Sequence, residues 1–162
     1  MLLIVDANVL IDYALADPSI LGLASRCLGN VFIPRVILRE VKQLDADDCE
    51  RYGLTIVDEP LEILMQAANS RLGPLSNPDK VCLLLAKANQ WICVTNEKPL
   101  HKFCKLENVE TLWGLRLMLE LVACQCLASD TAKRVALEIH RNNPRYITEA
   151  IYAEFCRKLA GR

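Results

Sequence analysis

The chain has 162 residues, of which 52% are hydrophobic and 24% charged, a composition that gives a globular core and excludes a disordered polymer. Nineteen Lys and Arg stand against twenty Asp and Glu, a net charge of -1, so no overall basic field draws in nucleic acid and any such contact rests on a local cluster. Eight cysteines without a C-x-x-C pair, and only two histidines, exclude zinc spacing.

The cysteines lie mostly in apolar runs such as VCLLLA (81–86) and WICVT (91–95), which predicts reduced thiols in a cytoplasmic protein. Asp6 and Asp12 break the apolar opening, which predicts neither a secretory leader nor a membrane-spanning segment there.

In chain order, LLIV (2–5) reads as a buried strand and ANVLIDYALA (7–16) as a helix. SILGLASRCLG (19–29) is a second helix, and VFI (31–33) a short strand stopped by Pro34. RVILREVKQL (35–44) is helical, LTIV (54–57) a third strand, and LEILMQAANSRLG (61–73) a helix. SNPDKVCLLLAKANQ (76–90) is a helix with Pro78 in its first turn, and WICVT (91–95) a fourth strand. KPLHKFCK (98–105) is a short helix, VETL (109–112) an edge strand, and helices follow over 114–127, 130–142 and 148–160. Short apolar strands alternating with helices predict an α/β fold, with a parallel sheet of four to five strands covered on both faces.

Open parallel sheets place their sites beyond the carboxyl ends of the strands. Asp6 ends the first strand, and Asn96 and Glu97 end the fourth. A wheel at about 100° per residue over 35–44 puts Glu40 at roughly 40° from Val36, inside the arc of Ile37, Val41 and Leu44. An inward glutamate needs a cation, a donor or a wet cleft, because burying an unpaired charge is costly. Asp79 shares a helical face with Cys82, Leu83 and Ala86. Each acid also has a plain structural account: Asp6 as an N-cap, Asp79 answering Ser76 in a capping box, Glu97 as a first-turn acid and Glu40 as an arginine partner. Together they form a set of carboxylates that capping alone does not explain. Such a set favours a hard cation, Mg²⁺ or Mn²⁺, able to activate water against a phosphodiester. No P-loop or G-x-G-x-x-G is present.

VDANVLIDY, LREV and LSNPDKVCLLLAKANQWICVTNEKPL, in that order and spacing, resemble the PIN-domain nucleases, among them the VapC-like toxins of toxin–antitoxin pairs. TLWGLRLMLEL also resembles the family's next segment, and NPRYITEAIYAEFCRKLAG the extended C-terminal helices of one branch. The resemblance implies a three-layer α/β/α sandwich, with a PIN-like nuclease domain over 1–127 and a helical extension over 128–162 packed on it. It implies metal-dependent cleavage of RNA, with Asp6, Glu40 and Asp79 as metal-binding acids. The fourth acidic position, commonly aspartate, falls on Glu97, a departure that touches a second metal. Asn8 and Thr95 match supporting polar positions, and Asn96 stands between Thr95 and Glu97.

Lys98, His101, Lys102 and Lys105 form one helical stripe beside Glu97, to be read as phosphate contacts or as a solvated face. Met65, Trp91 and Trp113 read as core. The leading expectation is a metal-dependent endoribonuclease with an RNA substrate. The alternatives are a weak or inactive PIN-like module that binds RNA or protein, and a small-molecule phosphohydrolase using the same acids. An antitoxin partner and a homodimer through the apolar helices 114–127 and 130–142 stay open.

Overall fold

Leu2–Val5 form strand β1, whose side chains alternate between two faces. Leu3 and Val5 enter one hydrophobic cluster and Ile4 enters the other. The computed structural model describes residues 1–161. With β2 (Asn30–Pro34), β3 (Thr55–Val57), β4 (Ile92–Val94) and β5 (Thr111–Leu112), β1 forms one all-parallel sheet in the order β3-β2-β1-β4-β5. β1 is therefore central and buried on both sides, which is why it is a continuous apolar run.

Ten helices flank the sheet among the described residues: α1 (Ala7–Ala16), α2 (Ser19–Cys27), α3 (Arg35–Glu40), α4 (Ala46–Arg51), α5 (Leu61–Asn69), α6 (Asn77–Asn89), α7 (Lys98–Leu106), α8 (Arg116–Ala123), α9 (Ser129–Asn142) and α10 (Glu149–Ala160). The larger cluster joins Leu3, Val5, Ile33 and Val94 to α1, α2, α8, α9 and α10; Ile139, Phe155 and Leu159 belong to it. The smaller cluster packs Ile4 and Cys93 against α5, α6 and α7. The result is an α/β/α sandwich. The chain leaves β1 for β2 on one side and later adds β4 on the other. The crevice at the carboxyl ends of β1 and β4 is thus the point where strand order reverses, the favoured place for a site.

Three expectations need correction. The predicted helix over 35–44 stops at Glu40, because Val41 takes an extended backbone (φ -95°, ψ 104°). Val41 and Leu44 are still buried, but they reach the core from the turn that follows. Residues 46–51 form α4, closed by a reciprocal capping box between Asp45 and Asp48, whose short acidic sequence has no apolar periodicity to betray it. Finally, not all cysteines are free: Cys27 and Cys126 are joined by a disulfide across 99 residues of sequence, a pairing that apolar context and local spacing cannot reveal. The other six are free thiols. No helix among the described residues is long and apolar enough to cross a membrane.

Candidate active site

Asp6 follows β1, and its backbone N–H donates to the Val94 carbonyl at 3.1 Å, so the residue sits at the seam between β1 and β4. The side chain is 1% exposed. Oδ1 accepts from the Val9 N–H at 2.9 Å, which caps α1. Oδ2 accepts from the Thr95 hydroxyl. Asp6 is therefore both a helix cap and a cross-strand partner.

Thr95 is fully buried, and its Oγ1 also accepts from the Glu97 N–H at 3.0 Å. One hydroxyl thus fixes the turn leaving β4 and touches Asp6, using its single donor and an acceptor lone pair. Glu97 is half-buried, and its Oε1 accepts from the Asn8 amide in the first turn of α1. Asp79 is half-buried in the first turn of α6. Its N–H donates to Ser76 Oγ at 3.2 Å, and its Oδ2 accepts from the Ser76 N–H at 3.2 Å, so the capping box is real.

Three acids share one electrostatic field. Burial pushes the Asp6 carboxyl up to about 7, and the negative charges of Glu97 and Asp79 push the same way. The hydrogen bonds from Thr95 and Val9 oppose that rise. Glu97 is also raised, first by burial and then by the charge of Asp79, against the Asn8 bond. Carboxylates held at such cost are stabilised by a cation.

Glu40 stands apart. As the last residue of the shortened α3 it is exposed, not turned into the core as the wheel predicted, and it is not among the charges acting on Asp6 or Glu97. The wheel assumed a helix through Leu44. With the helix ended at Glu40, the apolar arc no longer constrains where that side chain goes.

The remaining donors are hard oxygens, which suit Mg²⁺ or Mn²⁺. Among the described residues, however, no three Asp, Glu, His or Cys side chains stand close enough to hold one ion together. Asp79 is engaged by Ser76 and Glu97 by Asn8. The chemistry of the donors fits a divalent cation, whereas their present orientation is that of an open set.

Asn96 is buried and turns away from the acids. Its Nδ2 donates to Asp12 Oδ2 at 3.1 Å, and its Oδ1 accepts from the Gly114 N–H at 2.9 Å. Asp12 in turn accepts from Asn143 Nδ2 at 2.8 Å. Sequence reasoning missed Asp12, Gly114 and Asn143. The available signal was a carboxylate within the apolar run VLIDY, on the helix that Asp6 opens.

Of the basic stripe on α7, Lys98, Lys102 and Lys105 are exposed. His101 is half-buried: Nε2 donates to the Thr95 carbonyl at 2.9 Å, and Nδ1 therefore accepts from the Thr111 hydroxyl at 2.9 Å. Burial lowers its pKa, so it is a neutral strut at neutral pH. The core assignment of two large side chains is also corrected: Met65 is 55% and Trp113 47% exposed, while Trp91 stacks on Phe32 with centroids 4.0 Å apart.

A parallel sheet in this order, with Asp6 and Glu97 at the β1/β4 crevice, defines an α/β/α sandwich with an acidic edge. A family profile described as a PIN domain matches residues 2–161, and the chain belongs to the PIN-domain family. PIN domains are in general nucleases and typically use divalent metals. The chain is also similar to YacL, an uncharacterized PIN and TRAM-domain containing protein of Bacillus subtilis (strain 168), with 29% identity over 118 residues. That match covers 67% of this chain and 31% of the relative, so the chain spans about a third of that protein.

Proposed function

We propose that the protein is an endoribonuclease that cleaves RNA phosphodiesters by water attack, dependent on Mg²⁺ or Mn²⁺. The observation that carries this reading is the Asp6 carboxyl, buried at the switch point and raised to about 7 beside Glu97 and Asp79. Asp6, Asp79 and Glu97 would hold the metal, with Glu40, at the end of α3, as the remaining acid that the family resemblance implies. When bound, the ion supplies charge stabilisation at a phosphoryl oxygen and lowers the pKa of water. Thr95 and Val9 orient Asp6, and Asn8 orients Glu97. Lys98, Lys102 and Lys105 offer exposed cations to phosphates beside that site.

A short single-stranded RNA incubated with Mn²⁺ tests the reading. Cleavage that stops on chelation, and in Asp6→Asn, is the expected result; cleavage by Asp6→Asn at the wild-type rate overturns the assignment. A role as the toxin of a toxin–antitoxin pair predicts that expression arrests growth and that Asp6→Asn relieves the arrest.

Two observations favour a second reading, a non-catalytic PIN-like module that binds RNA or protein: the exposed Glu40 and the lack of three converging ligands among the described residues. It predicts no Mn²⁺ binding by calorimetry and no stabilisation of the fold by Mn²⁺.

A further inference from the structure

We propose that the groove between the β5–α8 connection and α10 is a nucleobase subsite, in which one unpaired base of an RNA strand stacks on Trp113 beside the acidic crevice. The proposal deepens the reading of the protein as an RNA-acting member of its family.

The groove has a volume of about 630 Å³, within the roughly 300–1,000 Å³ usual for small-molecule sites. Buried Ile147 and Phe155 give it an apolar lining, and Trp113 presents a half-exposed indole to it. An exposed tryptophan is ordinarily free to move, but this one is braced. It stacks on His101 with centroids 3.6 Å apart and planes 29° apart, and His101 is held by its bonds to Thr95 and Thr111. A platform already fixed loses little freedom when a base settles on it.

The groove also adjoins the site through the chain, although none of the three acids lines it. Asn96 and Lys98, the residues on either side of Glu97, both line it. The Thr95 carbonyl that receives His101 belongs to the residue whose hydroxyl binds Asp6. Stacking platform and acidic crevice therefore share one rigid framework at the carboxyl ends of β1, β4 and β5.

Charge selects the occupant. Lys98, Arg116 and Lys158 line the groove against one carboxylate, Glu154; Arg116 is paired with Glu120 and Lys158 with Glu154, so Lys98 is the cation left at the border. Lys98 has no ion pair among the described residues and stands next to Glu97. On a chain of net charge -1, an aromatic face with a cationic border suits a base and its flanking phosphates, since stacking tolerates any base and phosphates recruit lysine and arginine.

The experiment is equilibrium binding of a fluorescein-labelled single-stranded oligoribonucleotide to the full chain in EDTA, so that neither metal nor cleavage enters. Wild type should bind with quenching of tryptophan fluorescence. Trp113→Ala should weaken binding about tenfold, and Trp113→Phe should restore most of it. A strand of equal charge with abasic sites should bind weakly and equally to wild type and Trp113→Ala. Circular dichroism of both variants confirms that the fold is retained. Equal affinity of wild type and Trp113→Ala for the normal strand overturns the subsite. So does a dimer that Trp113→Ala converts to monomer with RNA affinity unchanged, which would make the groove a contact between copies. Trp113-dependent binding without any cleavage in Mn²⁺ supports the subsite while removing the nuclease reading.

Discussion

The Thr95 hydroxyl donates to the Asp6 carboxylate across the seam between β4 and β1, and the same oxygen accepts from the Glu97 N–H. Thr95 thereby holds two of the acids in register. Thr95→Val keeps the volume and removes both bonds. Partners that orient a ligand are typically worth 10–100-fold in metal affinity or activity. The expected result is a loss of about that size in Mn²⁺ affinity by calorimetry, with recovery in Thr95→Ser. Unchanged affinity in the valine variant would show that the hydroxyl serves only the fold.

A pH dependence follows from the raised carboxyls. Asp6 lies near 7 and Asp12 near 6 in the folded protein, each lifted first by burial, against about 3.8 when unfolded. Between those values the native state binds more protons than the unfolded state, so in EDTA stability falls as pH rises from about 4 and levels off above about 7. A shift of this size in Asp6 corresponds to an upper bound on the order of 4 kcal/mol. Asp6→Asn, which keeps an acceptor for Val9, should match wild type at pH 4 and exceed its stability at pH 8 in urea denaturation. In Mn²⁺ at pH 8 the order should reverse if Asp6 binds the ion.

Gly114 is required by its neighbour. A Cβ there would lie 2.9 Å from both side-chain polar atoms of Asn96 and 3.1 Å from Val9 Cγ2. Gly114→Ala must displace the amide that bridges Asp12 and the Gly114 N–H, costing about 1–3 kcal/mol in the manner of an overpacked core. Thermal unfolding measures the cost. Neutral behaviour would mean that Asn96 has another rotamer available with its partners intact.

These relationships differ in how far the sequence exposes them. The strand run LLIV followed by Asp6, and the strand ICV followed by Thr95-Asn96-Glu97, carry local patterns that place acids at one sheet edge without any tertiary information. Glu40 was misplaced because the wheel presumed a continuous helix, whereas the turn at Val41 delivers Val41 and Leu44 to the core by another route. Trp113 reads as core by composition, and only the pairing of β5 beside β4 shows that it ends at the rim, stacked on His101. Asp12 and Asn143 are 131 residues apart, so no local pattern could join them.

The cysteine pair makes a direct test of covalent structure. Alkylation in denaturant should count six thiols before reduction and eight after it, because Cys27 and Cys126 are the bonded pair. A cross-link over 99 residues restricts the unfolded chain by up to about 4.7 kcal/mol in the chain-entropy account. Cys126→Ser should therefore lower the unfolding midpoint relative to unreduced wild type, and reductant should erase the difference. A count of eight without reduction would remove the link.

The bond between Asn143 and Asp12 gives the C-terminal helices a part in the site. Asp12 holds Asn96 from one oxygen and is itself held by Asn143 through the other. Asn143→Ala leaves a buried carboxylate with one fewer donor, which should cost about 1–3 kcal/mol, the scale for an unsatisfied buried polar group. It should also raise the Asp12 pKa further, since that bond lowers it. The fall in stability relative to wild type should accordingly be larger at pH 8, where Asp12 is ionised, than at pH 4, where it is protonated. A loss of equal size at both pH values would show that Asn143 acts through packing between α9 and α10 and not through the carboxylate.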